Sequence, residues 1–244
     1  MIPFTKGVHD IGGGSYAYLQ PDGSWGFSNA GLVTDAGQSL LVDTLFDLRL
    51  TADMLAELRR VAPAAAAIDI LVNSHSNGDH TFGNRLVEGA RIVASRRCAA
   101  EMRDVGPDRF AELMRQARAG ELGGTGEYLQ RIFGRFDFAG VDRYILPTET
   151  FDGSLELMVG NKSVRLIEVG PAHTGGDVIV HVPADRVVYT ADILFIGGHP
   201  VAWAGPVANW IAAIDLVLGL DAEVIVPGHG RIPTRQQIFD LRSY

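Results

Sequence analysis

Cysteine is nearly absent from this chain: Cys98 is the single one in 244 residues. An intrachain disulfide and a thiolate metal cluster are thereby excluded, so any metal must be held by nitrogen and oxygen. Cys98, beside Ala99 and Ala100 in a helix-like stretch, reads as a packing residue. Basic residues are also scarce, 21 Lys and Arg against 29 Asp and Glu, a formal charge of -8. With no run of five or six Lys or Arg, a nucleic-acid footprint is not expected. Long apolar runs are missing too. No segment reaches the ~18 uninterrupted apolar residues of a membrane span, and the start, MIPFTKGVHDIGGGS, lacks the features of a signal peptide. The expectation is a cytoplasmic chain acting on a small molecule, without a membrane or nucleic-acid partner; the oligomeric state stays open.

What is present is apolar surface, 47% of residues, enough for a sizeable core, and a single domain over residues 1–244 is expected. Residues 16–19, 25–33 and 40–43 read as strands, the first two joined by a turn over residues 20–24. Residues 51–61 form an amphipathic helix behind a Thr51 or Asp53 cap, stopped by Pro63. A short apolar strand, 68–72, then runs into a polar cluster. Beyond it come a strand at 91–94 and a helix at 95–103. Two aromatic-rich helical stretches follow at 107–119 and 126–136, loosened between by Gly120, Gly123 and Gly124. This insertion, around residues 96–140, reads either as a lid whose aromatics face an apolar substrate or as ordinary packing. A second set of strands (154–158, 164–169, 178–182, 187–190), a helix (209–218) and a last strand (224–226) complete the order. The class is α/β, a sandwich of sheets flanked by helices.

Four loops, each after an apolar strand, carry the chemistry: SHSNGDH (74–80), PAHTGGD (171–177), YTADILF (189–195) and PGHG (227–230). Histidines and aspartates on strand-end loops can converge from distant positions and leave a coordination position open for water.

This set resembles the metallo-beta-lactamase superfamily, whose pattern is HxHxDH followed by a His, an Asp and a final His on three later loops. The resemblance implies an αββα sandwich with two metal positions. His75 and His173 would belong to the first, Asp79, His80 and His229 to the second, with Asp192 bridging. Asn77 stands where the pattern has its second His. It would be an oxygen ligand, or be replaced by water, or leave the first position empty; the favoured expectation is two ions with a weakened first site. Zinc is the first choice of metal, with iron or manganese kept open by the oxygen-richer set.

The resemblance further implies hydrolysis of an acyl bond by water that the metals activate, with Asp79 as the catalytic residue orienting it. An Asp at 192 is similar to the thioesterase, lactonase and glyoxalase II branches, which ranks thioesters, esters and lactones above beta-lactams. HSNGDHTFGN, PAHTGGDVIV and HPVAWAGPVANW are similar to polyketide cyclases or thioesterases of this fold, for which Trp203, Trp210 and the aromatics of the insertion would suit a flat substrate. His199, soon after Asp192, is a candidate substrate contact together with Trp203. His181 reads as structural and His9 gives no signal. Oxygen-using iron chemistry, or a non-catalytic binding protein with a site damaged at Asn77, are the competing readings.

Overall fold

The computed structural model describes residues 2–22 and 24–244; Gly23 of the expected turn lies outside them. A seven-stranded sheet runs in chain order: β1 (Gly7–Gly12), β2 (Ser15–Leu19), β3 (Ala30–Asp35), β4 (Gln38–Val42), β5 (Ile70–Val72), β6 (Arg91–Ser95) and β7 (Glu149–Phe151). Its first four strands are antiparallel and its last four parallel. The second sheet has five strands: β8 (Ser154–Val159), β9 (Lys162–Glu168), β10 (Val178–Val182), β11 (Val187–Phe195) and β12 (Val224–His229). Here only β11 and β12 are parallel.

Strand alternation divides the apolar residues among three layers of core. Leu40, Val42, Val72 and Val93 from the first sheet meet Val178, Val180, Val187, Tyr189 and Val226 from the second between the sheets. Leu41, Leu71 and Ile92 point the opposite way, under α1 (Leu48–Val61) and the insertion. On the far side, Ile179, Val188 and Ile225 pack beneath α6 (Val207–Gly219) and α7 (Arg235–Ser243). The architecture is the expected αββα sandwich.

Several local expectations needed correction. Helix α1 begins earlier than its amphipathic pattern suggested, because the buried Asp47 carboxylate caps it by accepting the Leu50 N–H at 2.7 Å. The expected strand 25–33 starts only at Ala30, since Ser28 and Asn29 spend their polar groups on distant loops instead of a ladder. Strand β7 and helix α7 were not foreseen, although Thr234 and Gln237 form a capping box that marks the start of α7.

The insertion comprises α3 (Arg96–Asp104), α4 (Pro107–Arg118) and α5 (Gly123–Phe133). Its phenylalanines pack against the body of the fold. Phe110, Phe133, Phe136 and Phe138 gather around Phe46, with centroids 5.7, 5.8, 4.9 and 4.8 Å away. Phe82 stacks on the same ring at 5.6 Å. A cluster of this size buries the insertion as core, so the packing alternative holds and the lid is withdrawn.

Candidate metal centre

The polar cluster after β5 continues into α2 (Gly78–Thr81), a single helical turn that carries Asp79 and His80. Phe82 packs under this turn so closely that a Cβ on Gly78 would stand 2.5 Å from its ring. His173 rides a tight loop after β9, closed by Asp177, whose buried carboxylate accepts from Ala172 N, Thr174 N and Thr174 Oγ1. Asp192 lies within β11, and His229 ends β12. Gly228 must lack a side chain, because a Cβ there would come within 1.9 Å of Asp192 Oδ1.

All six His and Asp of the expected ligand set converge. Asp192 Oδ1 lies 3.1 Å from His80 Nε2, and its Oδ2 lies 3.3 Å from both His173 Nε2 and His229 Nε2 and 3.7 Å from His75 Nε2. Asp79 Oδ2 is 3.4 Å from His229 Nε2. Three triads have ligand atoms within 4.8 Å of one another, Asp43–His75–His80, His75–His173–Asp192 and Asp79–His80–His229; the first joins His75 and His80 to the carboxylate behind them. The second and third bring together the residues expected at the two metal positions.

The outward nitrogens decide the tautomers. His173 Nδ1 bonds the Val201 carbonyl and His229 Nδ1 the Phe27 carbonyl, acceptors that require an N–H on Nδ1. His80 Nδ1 lies 2.9 Å from the Asp43 carboxylate, again an acceptor. The Ser74 hydroxyl donates to Asp43 and so accepts from His75 Nδ1, 2.9 Å away. With each Nδ1 turned to an outward partner, the four rings point Nε2 inward, the arrangement in which second partners orient metal-ligating histidines. His75 Nε2, His80 Nε2 and Asp192 Oδ1 are buried without a hydrogen-bond partner. Partnerless buried nitrogen and oxygen atoms gathered at one point fit a cation.

Electrostatics agree. Burial drives the His75 imidazole well below its ordinary pKa, reinforced by His80. Burial has the same sense at His80 and His229. There Asp192 outweighs it, aided by Asp43 at His80 and Asp79 at His229; His80 is held well above the ordinary value and His229 is pushed up to about 10. Against the upward pull of burial, His229, His80, His75 and His173 keep Asp192 well below the usual carboxylate range. Two ionised carboxylates in a dry pit of imidazoles therefore demand positive charge. Protons meet that demand in part, and a divalent ion would displace them.

Asn77 reaches the same place by its amide nitrogen: Nδ2 lies 2.9 Å from His173 Nε2. Sequence reasoning missed three residues that shape the centre. Asp43 holds His80 directly and His75 through Ser74, from a left-handed backbone (φ 64) that is costly for a residue other than glycine. Asn29 ties the 28–29 segment to the last loop through Pro227 and Gly230 carbonyls, and Ser28 Oγ donates to the Asp79 carbonyl. Asp43 ends the strand-like run LLVD, and a carboxylate closing such a run was the available signal.

Trp210 is core: it is buried, donates from Nε1 to the Ile193 carbonyl and stands edge-on to His173 at 5.9 Å. Trp203 is 61% exposed, and its backbone N–H donates to the His173 carbonyl. His199 lines a cavity of about 410 Å³ with Phe195, Ile196, Gln237, Leu241 and Tyr244, bonding the Tyr244 hydroxyl at 2.7 Å. The Phe195 ring lies flat on that of His229, 5.2 Å away at 4°, so the cavity borders the ligand cluster.

The sequence pattern of the metallo-beta-lactamase superfamily matches residues 23–229. The chain belongs to the metallo-beta-lactamase superfamily. Members of this superfamily bind metal ions and are mostly metal-dependent hydrolases. Over 94 residues, 36% of this chain and 27% of the relative, it is 34% identical to the 2,4-dinitroanisole O-demethylase subunit alpha of a Nocardioides species. Over 99 residues, 38% of this chain and 18% of the relative, it is 27% identical to the linear primary-alkylsulfatase of a Pseudomonas species. The chain thus spans well under half the length of either relative. Among solved structures, a metallo-beta-lactamase from Pontibacter korlensis superposes with a TM-score of 0.66 at 17% identity, covering 97% of this chain and 98% of the other. TMB-1 superposes at 0.67 and 18%, covering 99% and 97%. These likenesses show the fold. Among the described residues no helix is long and apolar enough to cross a membrane.

Proposed function

We propose that this superfamily member is a metal-dependent hydrolase that cleaves an acyl bond, in a thioester, ester or lactone, of a small substrate with an apolar or aromatic group. The observation that carries it is the ring of four inward Nε2 atoms around Asp192, with Asp79 at its open side. His75 and His173 would hold a first ion, Asp79, His80 and His229 a second, with Asp192 shared and Asn77 a weak participant in the first. When bound, such ions supply Lewis acidity and make water acidic enough to ionise near neutral pH. Zinc suits this imidazole and carboxylate set, and iron or manganese suits it less well.

The residues divide the remaining tasks. Side-chain exposure is 20% at His229 and 13% at Asp79, against 3% or less at His75, His80, His173 and Asp192. Substrate and water therefore approach over Asp79, whose carboxylate accepts the hydrogen bond that orients the attacking water. Phe195 borders that approach on the His229 side and offers the neighbouring cavity to the apolar part of the substrate, a volume suited to a small organic group. His199 and Tyr244 give that cavity a polar edge, and exposed Trp203 stands beside the His173 loop as a second apolar contact.

The test is metal analysis of the purified chain together with a panel of thioesters, lactones and beta-lactams. Two ions per chain, turnover of an acyl substrate and its loss in Asp79→Ala are expected. No bound metal, or an Asp79→Ala protein as active as the wild type, would refute the reading. The likeness to the O-demethylase subunit and the alkylsulfatase favours, as a second reading, cleavage of an aryl methyl ether or an alkyl sulfate. Both compounds belong in the panel.

A further inference from the structure

Glu101 belongs to none of the ligand sets. It stands half-buried on α3, and its carboxylate is shared between two loops. Oε2 accepts from Ser76 Oγ at 2.8 Å, and Oε1 accepts the Gly175 backbone N–H at 2.9 Å. Ser76 sits between His75 and Asn77, and Gly175 follows two residues after His173. The approach leaves no room for a side chain: a Cβ on Gly175 would stand 2.2 Å from Glu101 Oε1.

The start of the helix makes a parallel tie. Ser95 Oγ donates to the Gly176 carbonyl at 2.7 Å, and a Cβ on Gly176 would come within 2.2 Å of the Cys98 nitrogen. One face of α3 is thus the seat of the His173 loop. Of these three residues, Glu101 also grips the segment bearing His75 and Asn77. The second position is fastened elsewhere, His80 by Asp43 and His229 by the Phe27 carbonyl.

We propose that Glu101 is a positioning residue for the first metal position: by holding Ser76 and Gly175 at one separation it sets the affinity of the His75–His173 pair independently of the second position. This rests on the two-ion reading above. A glutamine can keep both bonds, accepting Gly175 N–H on Oε1 and donating from Nε2 to Ser76 Oγ; an alanine keeps neither.

The experiment is titration of zinc alone into the chelator-stripped full chain, read by competition with a chromophoric chelator. Wild type is expected to show two distinct constants. Glu101→Ala should weaken one of them at least about tenfold, the scale of a lost outer partner, and leave the other within about threefold; Glu101→Gln should restore the first. Equal weakening of both sites, unchanged constants in the alanine variant, or failure of glutamine to restore would each overturn the proposal. Should Glu101→Ala not fold, Ser76→Ala removes one bond and is expected to weaken the same constant about threefold; no change there is equally fatal. Fewer than two ions in the wild type would instead overturn the two-ion reading, and this proposal with it.

Discussion

Asn77 Nδ2 lies 2.9 Å from Nε2 of His173, so the amide occupies the lone pair that an ion in the first position needs. An amide nitrogen donates and does not ligate; Oδ1 could do so only after the amide turns over. Asn77 would thus offer a first ion only a weak, hard oxygen donor, while its hydrogen bond to His173 would compete with that ion.

Restoring the imidazole should reverse both effects. In Asn77→His the weaker of two zinc constants is expected to tighten about tenfold or more, with the other unchanged. Competitive titration of the stripped protein checks this, and an unaltered weak constant would mean that Asn77 does not face the first ion.

Asp43 is placed to affect both positions together, since it holds His80 and, through Ser74, His75. Asparagine tolerates the left-handed backbone found there but cannot accept at both oxygens. Asp43→Asn should therefore weaken both zinc constants by roughly 10–100-fold while the apoprotein keeps its circular dichroism. A loss confined to one constant would contradict the shared hub.

Phe138 is 3% exposed and lies 4.8 Å from Phe46 in the aromatic cluster. If the insertion is core, Phe138→Ala should cost about 3–5 kcal/mol in urea unfolding. A stable variant with a raised KM would instead restore the lid.

His181 offers a pH test away from the ligands. Burial, then Arg165 on the neighbouring strand, lowers its pKa in the folded chain, and its Nε2 has no partner. A depressed histidine contributes stability that is complete above its ordinary value near 6.5 and is lost as the pH falls through the lower folded value. Below pH ~6.5, His181→Val should therefore lose stability less steeply than wild type. Parallel acid limbs in chemical denaturation at pH 7.5 and 5.5 would count against it.

The two sheets and the ligand segments were legible because each ligand stands within or soon after an apolar run, and a strand that is buried on both faces reads as a continuous run, as in VIV before His181. Asp43, Ser28 and Asn29 were not legible. They act through Nδ1 protons, carbonyls and backbone contacts that cross up to about two hundred residues, as from Asn29 to Gly230. Ser28 and Asn29 look locally like turn residues, and only the carboxylate closing LLVD marked Asp43. The aromatics of the insertion misled for a related reason: a helix stripe of Phe looks the same whether it meets Phe46 or a ligand.

The ligand residues come in equal shares from the two sheets, His75, Asp79 and His80 after β5 and His173, Asp192 and His229 from the other side. The chain passes from one sheet to the other between Phe151 and Ser154. An ion seated among these side chains would rivet the two halves, so that occupancy and adhesion of the sheets become one equilibrium. A polypeptide nicked at that crossing would yield two fragments, neither able to retain the ion by itself, whose reunion zinc should promote.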